Sequence, residues 1–218
     1  MRNKLIQNSY IVLAVLLMGV FVSKVYAEPL KAKVSKVKGN PVVIRDSKPV
    51  VLKKDMVVNE GETVKTHSKD FCVLKLDGGK RIVLFQNSEV KVKNNKKKKA
   101  VQLDLTKGFS WVKVKKQNKT KKTSFLVKTP SAVAGVRGTS FSASVSPDGE
   151  EGFCVCEGVV SVTSGEKETT LKQGEFVGNG KAGLGASMKD AILLKKPTKK
   201  SISCLECHQG GNSRYKSY

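Results

Sequence analysis

The sequence predicts an all-β fold, and three observations carry that prediction. From Lys33 to Val177 the 218-residue chain runs through short stretches rich in Val, Ile and Leu, each cut by a glycine or by a cluster of Asn and Asp. Several stretches alternate apolar and polar residues, as where Val101, Leu103 and Leu105 interleave with Gln102, Asp104 and Thr106, the period of a half-buried strand. Glycine recurs at the turn ahead of such a strand, in Gly39-Asn40-Pro41-Val42, Gly79-Lys80-Arg81-Ile82, Gly108-Phe109-Ser110-Trp111, Gly158-Val159-Val160 and Gly174-Glu175-Phe176. The spacing is too irregular for a strict repeat. Strands this short and frequent suit a twisted β-solenoid or prism, winding so that successive strands stack, better than a Greek-key sandwich.

In chain order, the first segment reads as a secretory signal rather than as part of the fold. Met1-Arg2-Asn3-Lys4 supplies a basic end, Ile11 to Val22 a short apolar middle, and Val25-Tyr26-Ala27 a small-residue cleavage site ahead of Glu28-Pro29. The apolar run is about a dozen residues, short of the ~20 that a spanning helix needs. Cleavage after Ala27 removes residues 1–27 and leaves 191 residues, enough for one sizeable domain with tails. The β-domain is expected over 28–177. Its candidate strands are Lys33 to Lys38, Val42 to Arg45, Val50 to Leu52, Thr63 to Thr66, Phe71 to Leu76, Arg81 to Phe85, Glu89 to Val92, Val101 to Leu105, Phe109 to Val114, Ser124 to Lys128, Ser140 to Ser146, Gly152 to Glu157, Val159 to Thr163, Lys167 to Leu171 and Glu175 to Val177. Trp111, the one tryptophan, reads as a core or edge residue. The glycine-rich stretch Gly178 to Gly185 opens a linker over 178–200, in which Ala186 to Lys195 can form a short helix that Pro197 stops. A tail follows over 201–218.

The segment Thr129-Pro130-Ser131-Ala132-Val133-Ala134-Gly135-Val136-Arg137-Gly138-Thr139-Ser140-Phe141 is made of small residues with one arginine between two glycines. Pro130 forces Thr129 out of the α region, and Gly135 and Gly138 permit backbone geometry or close approach that a Cβ would forbid, so a bend between two strands is expected. Arg137, if it points inward, must be held by carbonyls or a carboxylate, because an unpaired buried charge is too costly. This segment, together with Glu157-Gly158-Val159-Val160-Ser161-Val162, resembles the core signature of the FecR domain, a bacterial extracytoplasmic β-domain. Gly39 to Arg45, Gly61-Glu62-Thr63-Val64-Lys65-Thr66 and Asp77-Gly78-Gly79-Lys80-Arg81-Ile82 stand in the same order, so the resemblance covers about residues 34 to 178. It implies the same wound β-architecture. The family's iron-signalling regulators carry a cytoplasmic anti-sigma segment before a membrane span, whereas here Met1 to Tyr10 precede the apolar run, so that mechanism is not carried over.

Charge and compartment bound the partners. The whole chain carries a net +23, and removal of residues 1–27 leaves 38 Lys plus Arg against 18 Asp plus Glu, a net of +20. In an exported protein nucleic acid is excluded as the partner, and the charge points to solubility and to anionic envelope material such as lipid head groups or acidic polysaccharide at a membrane surface. Residues 91–122 hold 13 lysines and one acid, Asp104, with Asn94-Asn95-Lys96-Lys97-Lys98-Lys99 expected as a hairpin loop. Lys113 and Lys115 should project from one face while Val112 and Val114 project from the other. The lysines of neighbouring strands would then form one basic sheet face or protect exposed strand edges.

Five cysteines are too few for a disulfide framework. Cys154 and Cys156 lie two apart on an expected strand, badly placed to bridge each other; either could pair with Cys72, or all three serve as buried thiols. The remaining two form Cys204-Leu205-Glu206-Cys207-His208, the attachment signature of a c-type haem. In it both thiols form thioethers and the adjacent imidazole of His208 becomes the proximal iron ligand. A thioredoxin-like dithiol would want a βαβ context, and a zinc site would want a fourth ligand beyond Cys204, Cys207 and His208. The tail alone cannot enclose a haem, and its sixth ligand is open among His67, Met188, a lysine and a group from a partner. With no Gly-rich phosphate loop and no clustered His, Asp and Ser set, an enzyme is not expected. The sequence reads as a periplasmic or otherwise extracytoplasmic non-enzymatic scaffold that carries covalent haem c and engages an envelope protein, an anionic envelope component or a redox partner. Its alternative is a haem-free envelope signalling module working through contacts of the β-domain.

Overall fold

Period-two alternation becomes sixteen strands in the computed structural model, which describes residues 29–115 and 124–178 and contains no helix among them. In chain order the strands are β1 (Lys31–Lys38), β2 (Val42–Arg45), β3 (Lys48–Val51), β4 (Val57–Asn59), β5 (Thr63–Lys65), β6 (Phe71–Leu76), β7 (Lys80–Leu84), β8 (Glu89–Asn95), β9 (Ala100–Val114), β10 (Ser124–Lys128), β11 (Val133–Val136), β12 (Ser140–Val145), β13 (Glu151–Glu157), β14 (Val159–Ser164), β15 (Lys167–Lys172) and β16 (Phe176–Gly178). They form two sheets. The first runs β4-β1-β6-β7-β9-β12-β13-β16 and the second β3-β2-β5-β8-β9-β10-β11-β14-β15. The chain passes back and forth between the sheets as it advances, so strands stack in succession on both sides, as the predicted winding requires. Among the described strands only β9 and β10 pair in parallel.

β9 belongs to both sheets. Ala100 to Leu105 pairs with β8 and β10, while Gly108 to Val114 pairs with β7 and β12. The sequence reads two strands here, separated at Gly108, and the structure joins them into one strand that changes sheet. Gly108 has φ +91°, and a Cβ on it would lie 2.4 Å from Ser88 Cα, so only glycine lets the strand turn at this point. The buried Ser88 hydroxyl accepts from Phe109 N at 2.9 Å and donates to Phe109 O at 3.0 Å, satisfying backbone groups at the crossing.

The core lies between the sheets. Leu74, Ile82, Leu84, Val112, Phe141, Phe153 and Val155 of the first sheet face Val43, Val64, Leu103, Leu105, Phe125, Val127 and Val160 of the second, all at or near zero exposure. Burying each such side chain stabilises the fold by about 1.5–3 kcal/mol. The sheet edges discourage strand addition: β3 carries Lys48 and Pro49, β15 carries Lys167 and Lys172, and β4 has three residues.

Candidate functional site

The Thr129–Phe141 segment contains a strand of its own, which corrects the expected simple bend. β11 pairs antiparallel with β10, Phe125 opposite Val136, and with β14, Val136 opposite Val160. The turn that precedes it is held by a buried carboxylate. Thr129, buried, donates its hydroxyl to Glu151 Oε2 and to Ala132 O at 3.2 Å, while Ser131 N donates to Glu151 Oε1 at 2.9 Å. Pro130 is exposed at the tip of this turn. Gly135 has an ordinary backbone, and a Cβ there would make only van der Waals contact with Leu126 Cδ2 at 3.7 Å, so no close approach demands glycine. Gly138, by contrast, has φ +64°. Thr139 is buried and its carbonyl accepts from Val114 N at 2.8 Å, and Phe141 enters the core.

Arg137 is exposed, so it is not the inward arginine, held by carbonyls or a carboxylate, that its setting between two glycines allowed. The reason is the strand before it. Ala134 and Val136 point into the core, so the next side chain emerges on the opposite side. The buried charge at this corner is Glu151, which sequence reasoning passed over because it follows the turn residues Asp148, Gly149 and Glu150. Its alternation with Phe153 and Val155 was the available signal, since all three occupy core-facing positions of β13.

A second corner is built on Asp70, between β5 and β6. Asp70 is buried; its Oδ2 accepts from His67 N at 2.8 Å and its Oδ1 from Asn40 N at 2.9 Å. Gly39 makes this possible, because with φ +77° it passes so close that a Cβ would stand 2.1 Å from Asp70 Oδ1. Burial pushes the Asp70 carboxyl up, but the amides of His67 and Asn40 and the His67 ring outweigh it and hold it below the usual carboxylate range. His67 Nδ1 lies 3.2 Å from Asp70 Oδ2, and the imidazole is 65% exposed. An ionised carboxylate only accepts, so the His67 nitrogen facing it, Nδ1, carries a proton.

Beside this corner the face of the first sheet turned away from the main core carries a second cluster of apolar residues, among which Val73, Val83 and Trp111 are buried. Phe71, Phe85 and Phe109 stack edge to face, with ring centroids 5.9 and 5.0 Å apart along the row. Val73, Val83 and Trp111 form the next row, packed against Phe71, Phe85 and Cys156. At the other end of the same face Lys33, Lys75, Arg81 and Lys113 stand opposite one another on β1, β6, β7 and β9, with Lys33 paired to Asp55 at 2.8 Å. Lys113 and Lys115 project away from buried Val112 and Val114 as expected. The lysines of 91–115 do not form one face, however: Lys91 and Lys93 lie on the second sheet and Lys113 on the first, because β9 changes sheet between them. Lys96 to Lys99 form the expected exposed hairpin turn, and Lys96, Lys97 and Lys98 line a shallow basic groove with Lys93, Lys128 and Gln102.

Cys72 is a free, fully buried thiol that burial pushes up to about 12. Cys154 and Cys156 are disulfide-bonded, and neither uses Cys72. They are therefore not the buried apolar thiols that the sequence also allowed. Cys204, Cys207 and His208, the signal segment 1–27 and the linker helix lie outside the described residues. No helix among the described residues is long and apolar enough to cross a membrane, and none of their His, Cys, Asp and Glu side chains gather in a group of three able to hold a metal ion.

Comparison with known proteins gives one family. The model described as "FecR protein" matches residues 62–175, more than half of the chain. Among solved structures, the fold is similar to a candidate anti-sigma factor from Parabacteroides distasonis, at 18% identity and a TM-score of 0.48 over 55% of each chain. A second crystal structure so described, from the same organism, has a TM-score of 0.46 at 18% identity, over 55% of this chain and 56% of that one. The chain thus spans about half the length of these structures. No curated protein matches it.

Proposed function

Because the chain belongs to the FecR protein family, we propose that it is an exported, non-enzymatic binding protein whose β-domain presents one covalently attached haem c to an envelope partner. Cys204 and Cys207 hold the haem by thioethers and His208 ligates its iron. The observation that carries this reading is the Cys204-Leu205-Glu206-Cys207-His208 spacing, which puts an imidazole directly beside two thiols. The disulfide bonding of Cys154 and Cys156 supports export, since such bonds persist in oxidising compartments. The row of Lys33, Lys75, Arg81 and Lys113 and the Lys96 to Lys99 turn suit anionic envelope material or an acidic protein surface. The haem itself supplies one-electron chemistry or ligand sensing when a partner docks.

One observation favours the haem-free alternative, a signalling module acting by protein contacts. With Cys72 free, the thiols open to Cys154 and Cys156 are each other and the tail pair. Protein should therefore be made in a host able to mature c-type cytochromes, its visible spectrum recorded, and its disulfides mapped by peptide mass spectrometry. The proposal expects a haem spectrum that is lost in the Cys204→Ala, Cys207→Ala variant. Cys204 and Cys207 recovered in disulfides with Cys154 and Cys156, in colourless protein, would establish the alternative.

A further inference from the structure

We infer that the groove bordered by the Lys96 to Lys99 turn, on the outer face of the second sheet, is a binding site for an acidic polysaccharide, a chain of sugar rings that carry carboxylates. The inference deepens the proposed binding of anionic envelope material and rests on that part of the reading, not on the haem. A run of lysines in a loop commonly serves solubility alone, its side chains moving freely in solvent. This run is fixed to the sheet. Asn95 Oδ1 accepts from Lys98 N at 3.0 Å, and Asn95 Nδ2 donates across to Gln102 Oε1 on β9 at 2.7 Å. Gln102 Nε2 donates in turn to Asp104 Oδ1, and Asp104 Oδ2 holds Lys93 Nζ at 2.6 Å. Gln102 is 5% exposed, so the turn stands on a nearly buried polar chain. The groove that results has Lys96, Lys97, Lys98 and Lys128 in its lining and encloses about 510 Å³, the size of an ordinary ligand site. None of these four lysines makes a salt bridge among the described residues, whereas Asp104 neutralises Lys93. Four like charges around one groove repel one another until a multiply charged anion lies between them.

The rest of the lining selects among anions. Leu126 is buried and Val133 half-buried, so the apolar part of the groove is recessed below the exposed lysines. A flat lipid surface meets the lysine tips without reaching that recess. An extended acidic peptide commonly binds by adding to an open strand edge, and β8, β9, β10 and β11 each have a ladder partner on both sides. A sugar ring suits the recess, because it lays its C–H face on aliphatic side chains and turns its hydroxyl and carboxylate groups toward polar ones. Asn95 and Gln102 each commit one amide hydrogen to the polar chain, and a primary amide carries two, which leaves a donor for a sugar hydroxyl. The ammonium groups then take the carboxylates as point charges.

The test is isothermal titration of the full-length protein with galacturonate oligomers of increasing length, a neutral galactose oligomer, and phosphatidylcholine vesicles containing phosphatidylglycerol. The galacturonate tetramer should bind more tightly than the monomer, and the neutral oligomer should not bind. Lys128→Gln, and the double variant Lys97→Gln, Lys98→Gln, should weaken tetramer binding roughly two- to five-fold per charge removed, the worth of one solvent-exposed charge pair. Lys128→Arg should bind as the wild type does. Lys48→Gln, which removes the same charge from an exposed position on β3, three strands from β8, should leave binding unchanged. The Cys204→Ala, Cys207→Ala variant should also bind normally, because the lining residues all belong to the β-domain. Equal weakening by Lys48→Gln and Lys128→Gln, or a neutral oligomer that binds as tightly as galacturonate, would overturn the groove assignment alone. Vesicle binding without binding of any oligomer would overturn it too and leave the anionic-envelope reading in place, whereas failure of every probe would overturn both.

Discussion

At the scale of single residues, buried carboxylates organise the two corners. Glu151 takes the Thr129 hydroxyl and the Ser131 amide, so Glu151→Ala should remove both hydrogen bonds and lower stability by about 1–3 kcal/mol in chemical denaturation. Arg137→Ala should change it by no more than about 0.5 kcal/mol, because its side chain is exposed. A large loss at Arg137, or none at Glu151, would reverse this assignment of the corner's anchor. Asp70 and Glu62 make a second residue-scale prediction. Arg45 donates to Glu62 at 2.5 and 3.1 Å, and this hydrogen bonding holds Glu62, like Asp70, below the ordinary carboxylate range. Groups depressed in the folded state contribute stability that is fully present above the unfolded pKa of about 4 and is lost as the pH falls through the folded values. Melting temperature should therefore decline below about pH 4, and less steeply in Asp70→Asn, whose starting stability is lower. Equal acid slopes for the two proteins would contradict the role given to Asp70.

At the scale of elements, the Lys96 to Lys99 turn is where the basic surface is most accessible. Changing these four residues to Gln should reduce retention on a heparin or anionic-vesicle support. Salt should release both proteins, since the screening length falls from ~10 Å at 0.1 M to ~3 Å at 1 M. Retention unaffected by the substitutions would leave the turn with no binding role. The strands themselves were legible where alternation is strong, as in β8, β10 and β14. Two were not. β4 has three residues, and β11 is made of Val133-Ala134-Gly135-Val136, whose small side chains carry little strand preference; it forms because β10 and β14 offer ladder partners on both sides. The crossing of β9 was hidden for another reason: Gly108 reads as a terminator, and only the Ser88 contacts show that the strand runs through it. The Thr129 corner was found from its small residues and proline, but the sign of its buried charge was not. The pairing of His67 with Asp70 was not read from the sequence, because the corner is completed by Asn40, which is remote in sequence.

At the scale of the whole molecule, the main core of the described residues lies between the two sheets. A chain ending at Gly178 should keep a cooperative melt and a β-type far-ultraviolet spectrum, and an aggregated product would mean that the tail completes the fold. The proposed function rests on the tail carrying haem. Intact-mass spectrometry of the denatured mature protein, made in a host competent for c-type maturation, measures that directly. The expected mass is that of the chain from Glu28 plus one haem, with the added mass lost in the Cys204→Ala, Cys207→Ala variant. A mass equal to the polypeptide alone, less the hydrogens of its disulfides, would contradict it.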